Sequence, residues 1–255
     1  MPFEIVTVPC LKDNYAFLAH DSGSGATAVI DGPEAAPILS ELSARGWTLS
    51  DILLTHHHWD HVDGVAELVS ATGARTCGNA RDADRLPPLD HAVAPGSTIA
   101  IGDEVGHVID VSGHTVGHVA FHFPGSGVAF TADSLMTLGC GRVFEGTAEM
   151  MHASLARLAA LPPDTLVCSG HEYAANNAKF ALTVDPDNRV LISRSQMIET
   201  ARAEGRPTVP STLQDELDTN PFLRAGDPAI RSRLGMEDAP DVAVFAEIRA
   251  RKDAF

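Results

Sequence analysis

Short apolar runs broken by turn residues fill the first two-thirds of the chain. Phe3–Val8 and Ala26–Ile30 have the β-branched, apolar make-up of strands, the second closed by Asp31-Gly32. Ala35, Ile38, Leu39 and Leu42 then recur at helical spacing, with Pro33 ahead of them and Gly46 behind, which predicts a helix. Ile52–Leu54 reads as a buried strand and Val62–Thr72 as a helix ending at Gly73. Strands are predicted over Val105–Val111, Val119–Phe123 and Val128–Thr131, a helix over Met150–Ala160 stopped by Pro162-Pro163, and a last strand over Leu166–Ser169. From Tyr173 the pattern changes to helical periods separated by breakers: Asp185-Pro186, Pro207, Pro210, Asn220-Pro221, Gly226 and Pro240. Ser211 and Gln214 have the spacing of a capping box. The expectation is an α/β domain over residues 1–172 followed by a helical domain over 173–255.

Composition narrows the function. The 255 residues are 44% hydrophobic and 20% charged, enough to bury a sizeable core. A net charge of −16 argues against a nucleic-acid partner, which needs clustered Lys and Arg to neutralise phosphates. The four cysteines, Cys10, Cys77, Cys140 and Cys168, form no C-x-x-C pair and are expected to be reduced and buried. MPFEIVTVPC has neither a basic leader nor a long apolar stretch, so no membrane association and a cytoplasmic location are expected.

The chemistry concentrates in Thr55-His56-His57-His58-Trp59-Asp60-His61, directly after the Ile52–Leu54 strand. Alternate side chains of an extended segment share a side, so His56, His58 and Asp60 are expected together and His57 apart. A lone histidine pair is more often structural than a ligand. Four ligand-type residues in six positions have little packing use. Three further strands each run into such a residue after a short turn: Ser112-Gly113-His114, Ala132-Asp133 and Gly170-His171. Strand ends gather on one edge of a sheet, where loops build sites on a rigid base. One catalytic ion takes about three protein ligands, so this set implies two. His56, His58 and His114 are assigned to the first, Asp60, His61 and His171 to the second, and Asp133 bridges them. Asp60 and Asp133 are the carboxylates expected to carry catalysis. The donors suit zinc first, with iron or manganese as alternatives. His118 is a candidate support for a ligand, while His20, His57, His91, His107, His122 and His152 read as structural or exposed.

The H-x-H-x-D-H segment with its spaced His, Asp and His resembles the metallo-β-lactamase superfamily, whose fold is an αββα sandwich. Within it the chain is similar to the glyoxalase II (hydroxyacylglutathione hydrolase) family. That narrower resemblance runs through Asp13-Asn14-Tyr15, Gly139-Cys140-Gly141-Arg142 before Glu145-Gly146, Gly170-His171-Glu172-Tyr173, Asn220-Pro221-Phe222-Leu223-Arg224, and Arg249 with Arg251-Lys252-Asp253. It implies S-D-lactoylglutathione as substrate and D-lactate and glutathione as products; a monomer is the expectation for the oligomeric state. It also implies glutathione contacts at Arg142, Tyr173, Arg249 and Lys252. Arg142 stands where the family often has Lys, keeping the charge but changing the donor geometry. Phe144 stands where an aromatic hydroxyl is common, removing one polar contact with the peptide. Independently of the resemblance, Arg249 and Lys252 lie three apart on one helical face and suit a carboxylate, although cations at a helix end also suit its dipole.

The implied mechanism is attack on the thioester carbonyl by a hydroxide that two cations make available near neutral pH. The leaving thiol, with a pKa of about 8.5, needs little help from a general acid. Three rivals compete. A persulfide dioxygenase with one iron is disfavoured by the long helical tail. A hydrolase of lactones, β-lactams or RNA is disfavoured by the acidic surface and the basic tail. A binding protein that has lost catalysis is disfavoured by the full ligand set.

Overall fold

A computed structural model describes residues 2–255. The chain divides into two compact units, the first made of residues 2–110 and Gly117–Ala132, the second of Val111–Val116 and Asp133–Phe255.

The first unit opens with β1 (Glu4–Cys10), β2 (Asn14–His20), β3 (Thr27–Ile30), α1 (Ala35–Arg45), β4 (Leu49–Leu53), α2 (Trp59–Val62), α3 (Val65–Thr72), β5 (Arg75–Asn79) and β6 (His91–Val93). The six strands form one sheet in chain order. Pairing is antiparallel up to β3 and parallel beyond it. Leu18, Val29 and Ile52 meet Ile38 and Leu42 of α1 and Leu68 of α3 in one buried cluster. Gly46 ends α1 in a left-handed conformation, as the sequence implies.

The helix expected over Val62–Thr72 is two helices broken at Gly64. A Cβ there would lie 2.7 Å from the Ala35 nitrogen, so the start of α1 requires glycine. Gly64 N–H donates to the Gly32 carbonyl and Gly32 N–H to the His61 carbonyl, tying this corner to the histidine segment.

β7 (Thr98–Ile101), β8 (Glu104–Asp110), β9 (Val119–Phe123) and β10 (Val128–Ala132) then pair as consecutive antiparallel neighbours. Phe3 packs edge-on against Phe123 at 5.1 Å between ring centroids, and Phe17 meets Phe130 at 5.9 Å. These rings join the two sheets of the unit face to face, as in a sandwich. β2 was not expected from the pattern because it is buried almost throughout and shows no alternation.

The second unit contains a tight hairpin of β11 (Leu135–Met136) and β12 (Gly139–Cys140), then α4 (Ala148–Ala159), β13 (Leu166–Ser169), α5 (Ala174–Val184), α6 (Arg189–Ala203), β14 (Ser211–Thr212), α7 (Leu213–Thr219), α8 (Pro228–Leu234) and α9 (Asp241–Ala254). The C-terminal stretch is helical as expected, but Leu166–Ser169 is not the last strand, since β14 pairs with it. The capping box lies one residue later than the sequence spacing suggested: Thr212 and Asp215 cap α7 reciprocally. Ser211 instead donates to the buried Glu216 carboxylate at 2.7 Å. Leu138, Ala178, Ala181, Leu191 and Ile198 form one apolar cluster, and Phe222 packs between Phe180 and Phe245.

Candidate metal centre

In the first unit His56, His58, Asp60 and His61 follow β4. The alternation expected of an extended segment holds through His58, and His57 turns away to Asp82 at 3.1 Å. The segment then becomes helical at Trp59, with His58 as its N-cap. With that change Asp60 and His61 offer donor atoms within 4.8 Å of each other, while Trp59 stays exposed.

Asp31, which in the sequence pattern only closes a strand, orients this cluster. Its backbone is left-handed (φ 59), a conformation Asp tolerates better than most residues. Its carboxylate accepts from Thr55 N–H, Thr55 Oγ1–H and His61 Nδ1–H, each at 2.8 Å. Since Thr55 gives its proton to Asp31, its oxygen accepts from His56 Nδ1 at 3.0 Å. Both histidines therefore turn Nε2 lone pairs outward, one held directly and one through Thr55. Asp31, His56 and His61 present donor atoms within 4.8 Å of one another, and the Asp31 oxygens accept three hydrogen bonds that fix the side chains around them. Asn14 Nδ2 donates to the Asp60 carbonyl at 2.9 Å and to its carboxylate at 3.2 Å. His118 lies parallel on His56, ring centroids 4.5 Å apart, and is buried.

In the second unit His114 and His171 converge on Asp133. Their Nε2 atoms lie 3.4 and 3.3 Å from the same carboxylate oxygen, Oδ2. His114 Nδ1–H donates to the Arg142 carbonyl at 2.7 Å, so in the neutral ring Nε2 carries a lone pair. A lone pair facing a carboxylate oxygen suits a shared cation, and a set of imidazoles and carboxylates is what divalent metals take. Glycines make the approach possible. At Gly113 (φ 151) a Cβ would sit 2.8 Å from Met151 Cα of α4, and at Gly141 one would sit 2.0 Å from the Asp133 carbonyl oxygen.

The anticipated substrate residues also lie in the second unit. Arg249 is buried. It donates to the Cys140 carbonyl at 3.0 Å and to Asp253 through Nη2 at 2.8 Å, with its guanidinium over Phe222. Asp253 also receives Arg142 Nε at 3.3 Å. Lys252 Nζ sits 5.2 Å from the centroids of both Phe180 and Phe255. Burial first, and the Arg249 charge second, lower its pKa to about 8. Arg251 pairs with Glu247 instead, so the three-cation cluster of the sequence divides into two directions. Tyr173 stacks on His171 at 4.7 Å, and the exposed Phe144 meets His114 edge-on at 5.3 Å. All four cysteines lie outside disulfides and are buried, as expected, and burial raises the Cys140 thiol to about 11. None is poised as a thiolate nucleophile.

Comparison with known proteins places the chain in a family. The model of the metallo-beta-lactamase superfamily matches residues 17–171, and that of the hydroxyacylglutathione hydrolase C-terminus matches residues 172–255. A hydroxyacylglutathione hydrolase of Jannaschia sp. (strain CCS1) is 66% identical over 99% of this chain and 98% of its own length. The Cereibacter sphaeroides (strain ATCC 17023) protein of the same name is 64% identical over the whole of both chains. Among solved structures, the BLEG-1 B3 metallo-beta-lactamase aligns with a TM-score of 0.67 at 20% identity, covering 86% of this chain and 99% of its own. ETHE1 from Myxococcus xanthus aligns with a TM-score of 0.67 at 24% identity over 100% and 99%. These two likenesses establish the fold alone. By its full-length relatives and its two family matches, the chain belongs to the metallo-beta-lactamase superfamily and, within it, to the hydroxyacylglutathione hydrolases.

Proposed function

We propose that the chain hydrolyses S-D-lactoylglutathione and related 2-hydroxyacyl thioesters of glutathione to glutathione and the free acid, the second step of methylglyoxal detoxification. His56, His58 and His114 would hold one divalent ion and Asp60, His61 and His171 the other, with Asp133 as the carboxylate available to both. We infer zinc at both positions, with iron and manganese as the alternatives the donors accept. When bound, the ions make hydroxide available near neutral pH and stabilise charge developing on the thioester oxygen.

The chain's own residues do the rest. Asp31 holds His61 directly and His56 through Thr55. The Arg142 carbonyl holds His114. Arg142, Arg249 and Lys252 attract the carboxylates of the glutathione moiety, and Tyr173 and Phe144 flank it, Phe144 by apolar contact alone. We read the protein as a cytoplasmic monomer; among the described residues no helix is long and apolar enough to cross a membrane.

The observation that carries this reading is the convergence of two imidazole nitrogens on one Asp133 oxygen. The test is thiol release from S-D-lactoylglutathione while bound metal is varied with a chelator. Release should follow metal content, vanish in Asp133→Ala, and need several-fold more substrate in Arg249→Ala with kcat little changed. Turnover by metal-free protein, or none by loaded protein, would overturn it.

A further inference from the structure

One segment, from Asp133 to Arg142, carries the carboxylate that His114 and His171 approach, the backbone carbonyl that fixes His114, and a substrate cation. Between them lies the β11–β12 hairpin, which has only two paired residue positions, Leu135 with Cys140 and Met136 with Gly139. Its turn includes Leu138 at φ 56, an unfavourable conformation for a branched side chain. So short a ribbon does not hold its own geometry. Something else must.

Asn177 Nδ2 on the Thr137 carbonyl at 2.9 Å and Arg249 on the Cys140 carbonyl supply part of that support, and a buried polar network at the C-terminal end of α7 supplies more. Glu216, fully buried, accepts from Leu138 N–H at 2.8 Å and from Asn220 Nδ2 at 3.0 Å through Oε2. Its Oε1 accepts from Arg194 and, at 2.7 Å, from Ser211. Asn220, also fully buried, directs the same amide nitrogen to the carbonyls of Gly139 at 2.9 Å and Met136 at 3.2 Å. Its own oxygen accepts from Phe222 N–H at 3.0 Å, which fixes the orientation of the amide. Two side chains thus grip both sides of the hairpin and its turn.

We propose that Glu216 and Asn220 are positioning residues for the metal centre, acting through the hairpin to set Asp133 and the carbonyl that holds His114. This rests on the functional reading above. Neither residue touches a ligand directly. Partners that orient ligands in this indirect way typically alter metal affinity 10–100-fold when removed.

The experiment compares Asn220→Ala with Thr219→Ala. Thr219 is a buried neighbour that receives Arg194 at 2.6 Å but makes no bond to the hairpin. Zinc-loaded protein is titrated with a competing chelator, and the melting temperature of the metal-free form is recorded alongside. Both variants should melt lower than the parent. Only Asn220→Ala should release zinc more readily, by roughly tenfold or more. Equal zinc retention in the two variants would overturn the proposal. Parent protein that holds no zinc would instead overturn the functional reading. Should Asn220→Ala fail to fold, Asn220→Ser, which still offers Glu216 a hydroxyl but cannot span both carbonyls, carries the same comparison with the same two outcomes.

Discussion

Asp31 shows how little of an orienting residue is written in its local sequence. Asp-Gly after a strand reads as a turn, and it is one. The turn also delivers a carboxylate to Thr55 and His61, 24 and 30 residues downstream. In Asp31→Asn the left-handed backbone is retained, because Asn tolerates it equally well. The amide cannot accept all three hydrogen bonds, so His61 and His56 lose their fixed tautomers. Metal affinity should fall roughly 10–100-fold, and competition with a chelator measures it; unchanged affinity would make Asp31 a mere turn residue. Lys252 permits a second prediction. Its ammonium is disfavoured by burial and by Arg249, with a pKa of about 8 against about 10.4 for a free lysine. The unfolded chain therefore binds more protons between these values, and this group's contribution to stability rises with pH across that window and is lost as pH falls through about 8. Substrate binding should go the other way. As the charge disappears above pH about 8, KM for the anionic thioester should climb. Lys252→Arg should flatten that climb, since guanidinium does not titrate there. A KM profile identical in both proteins would remove Lys252 from the binding set.

At the scale of elements, the informative errors are local ones with tertiary causes. A capping box placed at Ser211 and Gln214 has reasonable spacing, yet the chain begins α7 one residue later. Ser211 is drawn into β14 by pairing with Val167 and into the interior by Glu216. Thr212→Ala should therefore cost about 1 kcal/mol in denaturant unfolding, as lost helix caps do. A change near zero would return the cap to Ser211. The helix that divides at Gly64 fails as a single period for a similar reason. Steric contact with α1, invisible in the local pattern, forbids a side chain there. Strands β2 and β5 were missed because buried strands lose the alternation that marks half-exposed ones.

For the molecule as a whole, the proposed ligands stand out in the sequence and the contacts that hold them do not. Four of the proposed ligands fall within six consecutive positions, His56 to His61. The others each follow a readable strand, because a metal needs specific donor atoms and few other residues supply them. The basic tail was legible too, but as one cluster; packing against Phe180 and Phe222 separates Arg249 and Lys252 from Arg251. The sequence by itself determined the chemistry available: which side chains can donate to a cation, which can meet a carboxylate, and where strands and helices alternate. Only the tertiary structure decided what holds those groups still. The Asp31–Thr55–His56 relay, the Arg142 carbonyl on His114 and the grip of Glu216 and Asn220 on the hairpin all join residues far apart in the chain. They depend on backbone atoms and buried polar pairs, and such contacts leave no periodicity to read.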